Sequence, residues 1–132
     1  MSTYSYALIA AASVLILHVT GIELSFYRID SPYDILMHII GGVAIALFVL
    51  ALIRSFIPKS GHWRLYIIIG TLVIGAAWEM FEVYFGITGH TPGTWLYGVD
   101  TVADLFNDTL GALAVILVCM RSNTAEKIYS HE

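Results

Sequence analysis

The chain has 132 residues, of which 58% are hydrophobic and only 12% are charged. A typical soluble domain is about half apolar and about a quarter charged, so this composition excludes an ordinary soluble fold. The formal net charge is −4 and the chain has no basic patch, which excludes a nucleic-acid partner. We therefore predict a single integral membrane domain over residues 1–132.

The first apolar run predicts a membrane helix over about residues 6–26. Residues 1–6 contain no Lys or Arg, and the run continues beyond the usual length of a signal-peptide core without a cleavage motif. These features favour a retained helix over a signal peptide.

Three more runs have about the 20 residues that a helix needs to cross a bilayer. Proline and glycine stand at or near most of their ends, as expected for the connections between helices. The pattern predicts an all-α bundle of four transmembrane helices, with the later three at about residues 34–57, 64–85 and 100–120.

Basic residues predict the orientation, because cytoplasmic loops of membrane proteins are enriched in Lys and Arg. Only Arg28 is expected on the outer side. The others flank the second connection or follow the fourth helix: Arg54, Lys59, Arg64, Arg121 and Lys127. We predict a multi-pass protein of the cytoplasmic (inner) membrane, with both termini inside.

Ionisable residues gather in the outer half of every predicted helix. Asp34 and Asp100 stand at predicted helix N-termini, where a carboxylate interacts favourably with the helix dipole, so we expect capping roles for both. A charged side chain near the bilayer centre costs about 2.5–3.5 kcal/mol on insertion scales, so the deeper acids need partners. The whole set is His18, Glu23, Asp34, His38, Glu79, Glu82, Asp100, Asp104 and Asp108.

The deeper members of this set predict a divalent-metal site. One histidine with several carboxylates suits zinc or manganese, whereas carboxylates alone suit magnesium. A metal-bound water could then attack an ester, phosphoester or amide bond. The predicted ligands are His38, Glu79, Asp104 and Asp108, and Glu82 and His18 are the candidate catalytic or supporting groups.

Two segments resemble each other within the chain. The segment DILMHIIGG from Asp34 aligns with DLFNDTLGA from Asp104, and both read D-x-x-x-[HD]-x-x-G-small. The small residues after each polar pair would allow helices to approach closely. Two repeated helical hairpins and a chance match of a short pattern are both open interpretations.

The same residues resemble those of VanZ-like integral membrane proteins and of bacterial relatives with a W-E-x-x-E helix followed by a D-x-x-x-D helix. The resemblance covers helices two to four and implies a multi-pass bacterial membrane protein with a polar site at the outer face. VanZ-like proteins are associated with glycopeptide resistance. The matching positions are Asp34, His38, Trp78, Glu79, Glu82, Asp100, Asp104, Asp108 and Gly111.

Several functions fit this pattern. The first is a metal-dependent hydrolase or transferase acting on a membrane lipid or lipid-linked substrate. The alternatives are a cation- or proton-binding or transport protein, a resistance-type protein that binds an envelope ligand, a haem protein with His18 and His38 as axial ligands, and a small structural subunit. An oligomer is left open.

Two further features have alternative interpretations. The loop over residues 87–99 either covers the site or anchors the chain at the membrane interface, through His90, Trp95 and Tyr97. Cys119 is expected to be a small buried hydrophobic residue, because a single cysteine excludes an internal disulfide.

Overall fold

The computed structural model describes residues 2–27 and 31–121, which form a bundle of four α-helices. All four helices are long and apolar enough to cross a membrane, which confirms the predicted all-α membrane bundle. At 1.5 Å per residue they are roughly 30–40 Å long, against about 30 Å of hydrocarbon. They are α1, Thr3–Glu23; α2, Pro32–Phe56; α3, Trp63–Phe85; and α4, Trp95–Arg121. Arg28 and Lys127 lie outside the described residues.

The helices α1, α2 and α4 begin earlier than predicted, and hydroxyl side chains cap them. The Ser2 hydroxyl caps α1 by accepting a hydrogen bond from the Ser5 amide (3.2 Å). The Ser31 hydroxyl accepts a hydrogen bond from the Tyr33 amide (3.2 Å), and the Thr94 hydroxyl accepts one from the Tyr97 amide (3.3 Å). Ser and Thr are strong N-cap residues.

Asp34 lies in the first turn of α2, where its carboxylate interacts favourably with the helix dipole as expected, although the N-cap itself is Ser31. The expected capping role of Asp100 is wrong, because Asp100 lies more than a turn inside α4.

The helix α2 is the centre of the bundle and packs against the other three helices. In the described ranges, α1 packs on α2 but not on α4, so α1 is the peripheral helix. We call the end where α2 and α4 begin the acidic end, and the opposite end, with Arg54, Lys59, Arg64 and Arg121, the basic end. The half of the bundle toward the basic end contains an apolar core of Ala46, Leu50, Ile53, Trp63, Ile67, Ala112, Val115 and Ile116.

Polar contacts attach the start of α1 to the end of α2 at the basic end. The Tyr4 and Ser55 hydroxyls lie 2.8 Å apart, and the Arg54 guanidinium donates to the Thr3 hydroxyl. Since α1 is otherwise largely exposed and apolar, these contacts fix its position along α2 while its outer face meets lipid.

Glycines let α2 and α4 approach until their backbones touch. A Cβ atom at Gly42 would lie only 2.7 Å from the Asp108 Cα atom, and one at Gly111 would lie 2.7 Å from the Val43 amide nitrogen. Real Cβ atoms do not approach neighbours so closely. The two similar segments therefore pack against each other and run in the same direction. Their origin as a repeat stays a prediction.

The helix α3 buries one residue every four along a single stripe. The stripe runs from the apolar core to the acidic end through Trp63, Ile67, Thr71, Gly75 and Glu79. Residues spaced by four lie on one face of an α-helix, so this face meets the bundle. Gly75 brings α3 against α4, because a Cβ atom there would lie 2.5 Å from Asp108 Oδ2.

We predict that Gly42→Ala destabilises the bundle by about 1–3 kcal/mol, the usual range for overpacking a close contact. The matched control is Gly98→Ala, also within a helix but with open space at the Cβ position. It should be neutral or stabilising by up to about 1 kcal/mol, because Ala favours helix more than Gly. Unfolding in detergent measures both, and equal effects would contradict the close packing.

Candidate functional site

A buried histidine lies between two aspartates at the contact of α2 and α4. His38 Nδ1 is 3.4 Å from Asp108 Oδ1, and His38 Nε2 is 3.6 Å from Asp104 Oδ1. The three residues are only 9%, 5% and 4% exposed for His38, Asp104 and Asp108, respectively. Both imidazole nitrogens thus face a carboxylate away from solvent.

Asp34 completes a group that could hold a metal ion. One potential ligand atom from each of Asp34, His38 and Asp104 lies within 4.8 Å of the others. Zinc ligands at about 2.1 Å in tetrahedral geometry are roughly 3.4 Å from one another. The 3.6 Å between His38 Nε2 and Asp104 Oδ1 is close to that spacing and is too long for an ordinary hydrogen bond.

The local sequence explains this geometry. Asp34 and His38 are four residues apart on α2, and Asp104 and Asp108 have the same spacing on α4, so each pair lies on one helix face. The glycine contacts then place the two faces directly opposite each other. Asn107 is also buried on this side of α4.

Glu79 lies outside the group of potential ligand atoms, although the sequence placed it among the ligands. Its Oε2 accepts a hydrogen bond from the Thr101 hydroxyl (2.9 Å). Its Oε1 is buried without a hydrogen-bond partner among the described residues. The structure thus brings Asp34 close to His38 and Asp104. It holds Glu79 against the first half of α4 through Thr101, a residue that the sequence did not indicate.

A cavity of about 490 Å³ extends from this group between α1 and α3. Its walls at the acidic end are polar, and its walls toward the middle of the bundle are apolar. The polar and aromatic lining residues are His18, Tyr27, Asp34, His38, Trp78, Phe81, Glu82 and Asp108. The others are Ala11, Val14, Met37, Gly41, Ala44, Ile45, Ile74, Gly75 and Ala77.

Both candidate catalytic residues from the sequence, Glu82 and His18, line this cavity and contact Trp78. The Trp78 indole N–H donates to Glu82 Oε1 at 2.9 Å, and the His18 and Trp78 rings meet edge to face at 5.9 Å. Glu79 and Glu82 therefore have different surroundings, because one is buried in the bundle and the other lies at the cavity wall.

Tyr27, which follows α1, was missed by the sequence analysis. Its hydroxyl lies 2.8 Å from His18 Nδ1 and fixes the imidazole at the acidic end of the cavity. Burial, followed by the nearby Tyr33, raises the pKa of the Tyr27 hydroxyl above its ordinary value. The hydroxyl therefore stays protonated and neutral. Sequence reasoning had no signal for Tyr27, because it lies in an irregular segment.

Trp95 and Tyr97 of the predicted loop lie in the first turn of α4, and neither lines the cavity. Trp95 is the first residue of α4 and is 82% exposed, a position that fits an interface anchor. Cys119 is partly buried and packs against the apolar core, in agreement with its predicted role as a small hydrophobic residue.

We predict that Thr101→Val lowers the free energy of unfolding by about 1–3 kcal/mol, because it leaves the buried Glu79 carboxyl without its donor. Thr109→Val is the matched control. Its hydroxyl bonds the Leu105 carbonyl of its own helix, a contact of little value to a helix.

The Thr101 effect should shrink when Glu79→Leu is already present, since no carboxyl then needs the donor. Unfolding of the two single variants and the double variant in detergent measures this coupling. Equal losses with and without Glu79 would contradict the interaction.

Comparison with known proteins identifies the family of the chain. No curated protein and no solved structure matches it. These comparisons give no specific support for the resemblance to VanZ-like proteins, which stays a prediction. One family model, described as "Predicted membrane protein (DUF2238)", matches residues 1–125. The chain, with its four membrane-length helices, therefore belongs to this family of predicted membrane proteins, DUF2238.

Proposed function

We propose that the protein holds a divalent metal ion at Asp34, His38 and Asp104 and uses it to hydrolyse or transfer groups on a membrane lipid or lipid-linked substrate. One observation carries the proposal: three potential ligand atoms from two helices lie within 4.8 Å of one another beside a cavity. We place the site in the outer half of the inner membrane, following the distribution of basic residues.

Asp108 has a separate role in this proposal. A histidine that ligates a metal through one nitrogen usually donates its other N–H to a carboxylate, which fixes the ring and strengthens the ligand. Asp108 Oδ1 lies 3.4 Å from His38 Nδ1, and Nε2 then points toward Asp104 and the metal position. Asp108 is therefore a positioning residue rather than a direct ligand.

The ligand set favours zinc or manganese over magnesium. Imidazole nitrogen suits transition metals, whereas magnesium prefers oxygen ligands and retains several waters. Two carboxylates and one neutral histidine would also balance the ion's two positive charges. That balance would offset the cost of keeping carboxylates inside a membrane.

The neighbouring cavity would give a substrate access to the ion and to two groups that can transfer protons. A bound ion would polarise an ester, phosphoester or amide and provide a nucleophilic water at neutral pH. Glu82 and His18 lie on the walls of the same cavity and could accept or donate a proton. The apolar walls between α1 and α3 would give a lipid access from the side.

The second candidate function is cation or proton binding without catalysis. One observation favours it: a protonated His38 between the Asp104 and Asp108 carboxylates would form two ion pairs without a metal, and a second proton or a bound cation would balance the remaining negative charge. Transport would also need a polar path to the basic end. The helices are closed there by Ala46, Leu50, Ile53 and their apolar neighbours, so binding is the better form of this alternative.

We predict about one zinc or manganese ion per chain in purified protein, measured by elemental mass spectrometry after incubation with either metal. His38→Gln and Asp104→Asn should each remove most of it. Asp100→Asn is the matched control, because it removes a carboxylate from α4 outside the group of ligand atoms. A folded wild-type protein without metal would favour the proton-binding alternative.

Asp108→Asn should weaken metal binding about 10- to 100-fold without abolishing it, as is usual for residues that orient a ligand. Titration with zinc in detergent measures the affinity. A loss as complete as that of Asp104→Asn would make Asp108 a direct ligand and contradict its positioning role.

A further inference from the structure

The cavity between α1 and α3 has a charge and a shape that indicate what it binds. We propose that it binds a single-chain amphiphile with an ammonium headgroup. The headgroup would lie at Glu82 and the aromatic rings of the acidic end, and the chain would extend along the apolar walls. An ammonium amphiphile would be the substrate class of the site, and any reaction on it rests on the proposed function. Binding of the amphiphile does not need the metal.

The charge of the cavity favours a cation. Three carboxylates line it, from Asp34, Glu82 and Asp108, together with the imidazoles of His18 and His38, and its described walls contain no Lys or Arg. His38 faces Asp108, so Glu82 is the carboxylate that a ligand at the acidic end would meet. A phosphate headgroup would need basic side chains or a helix N-terminus to offset its charge. The structure offers carboxylates at that position, so an anionic headgroup is disfavoured and an ammonium is favoured.

Aromatic rings line the acidic end of the cavity, and they favour a cation over an anion there. Trp78 and Phe81 stack with ring centroids 5.2 Å apart, and Tyr27 lies on the cavity wall with them. Aromatic faces attract cations, and rings grouped around a pocket are a common way of binding quaternary ammonium groups. The hydrogen bond from Trp78 to Glu82 fixes the carboxylate beside these rings.

The remaining walls fit an alkyl chain. Small residues from α1, α2 and α3, such as Ala11, Ala44 and Ala77, make room for it between the helices. An alkyl chain gains little free energy on moving from lipid into an apolar groove, because both surroundings are equally apolar. The headgroup therefore determines which amphiphile binds, and the alkyl chain serves to concentrate the ligand in the membrane or micelle.

Glu82 is a carboxylate whose hydrogen-bond partner among the described residues is the neutral Trp78 indole, and no Lys or Arg of the cavity wall balances its charge. It belongs neither to the group of potential metal ligands nor to the buried stripe of α3, yet it is a carboxylate within a membrane helix. An ammonium ligand would balance its charge and account for its position at the cavity wall.

Native mass spectrometry of the protein in neutral maltoside micelles tests the proposal directly. The probes are dodecyltrimethylammonium, dodecyl phosphate and tetramethylammonium, which separate headgroup charge from chain. We expect one saturable adduct with dodecyltrimethylammonium. We expect at least about tenfold weaker binding of the other two probes, equivalent to roughly 1.4 kcal/mol.

Two variants assign the adduct to the cavity. Glu82→Gln and Phe81→Leu should each weaken binding of dodecyltrimethylammonium several-fold, and both should leave the metal content unchanged. Glu23→Gln is the matched control, because Glu23 is an exposed carboxylate at the end of α1 that does not line the cavity. It should bind as the wild type does.

Equal binding of dodecyl phosphate, tight binding of tetramethylammonium alone, or equal effects of Glu82→Gln and Glu23→Gln would each overturn the proposal. The metal content of the same samples separates this failure from that of the proposed function. Metal without ammonium selectivity overturns only the amphiphile. Ammonium selectivity without metal overturns only the metal site.

Discussion

The backbone contact between α2 and α4 is the constraint on which the rest of the structure depends. Gly42 and Gly111 bring the two helices together, and the i,i+4 pairs Asp34/His38 and Asp104/Asp108 then face each other. With larger residues at the glycines the helices would separate, and His38 would lose its two carboxylate neighbours. Small residues are common where membrane helices pack, because lipid provides no hydrophobic force to drive them together. Here the same packing that holds the bundle together also builds the polar group.

The placement of carboxylates shows a division of roles within a membrane protein. Burying a charge is costly in hydrocarbon unless it is paired, so each buried acid needs a partner. Asp104 and Asp108 have His38, Glu79 has Thr101 for one of its oxygens, and Glu82 has the Trp78 indole. The half of the bundle toward the basic end avoids the problem with an apolar core. The apolar core thus lies in one half of the bundle and the buried polar group in the other, with the cavity beside the polar half.

The sequence predicted the number and type of helices because apolar runs of that length permit few other structures in a membrane. It also predicted that His38, Asp104 and Asp108 share a site, because spacing alone puts each pair on one face. It placed Asp34 correctly in the first turn of α2 but was wrong about Asp100, since α4 begins earlier, after the Thr94 hydroxyl that lies outside the apolar run. It assigned Glu79 to the metal and Glu82 to catalysis, but it could not predict that Glu79 is held by Thr101 outside the group of ligand atoms, because that depends on which side of α3 meets α4. Tyr27 and Thr101 matter only through contacts between elements, and no sequence pattern indicates them.

The central claim is that one ion sits between α2 and α4, ligated by His38 and oriented by Asp108. The most direct measurement is anomalous diffraction from crystals grown with zinc or manganese, recorded on both sides of the metal's absorption edge. We expect a single strong peak about 2.0–2.2 Å from His38 Nε2 and from oxygens of Asp34 and Asp104. His38 Nδ1 should face Asp108. A peak elsewhere, or none while His38 shares protons directly with both aspartates, would contradict the account.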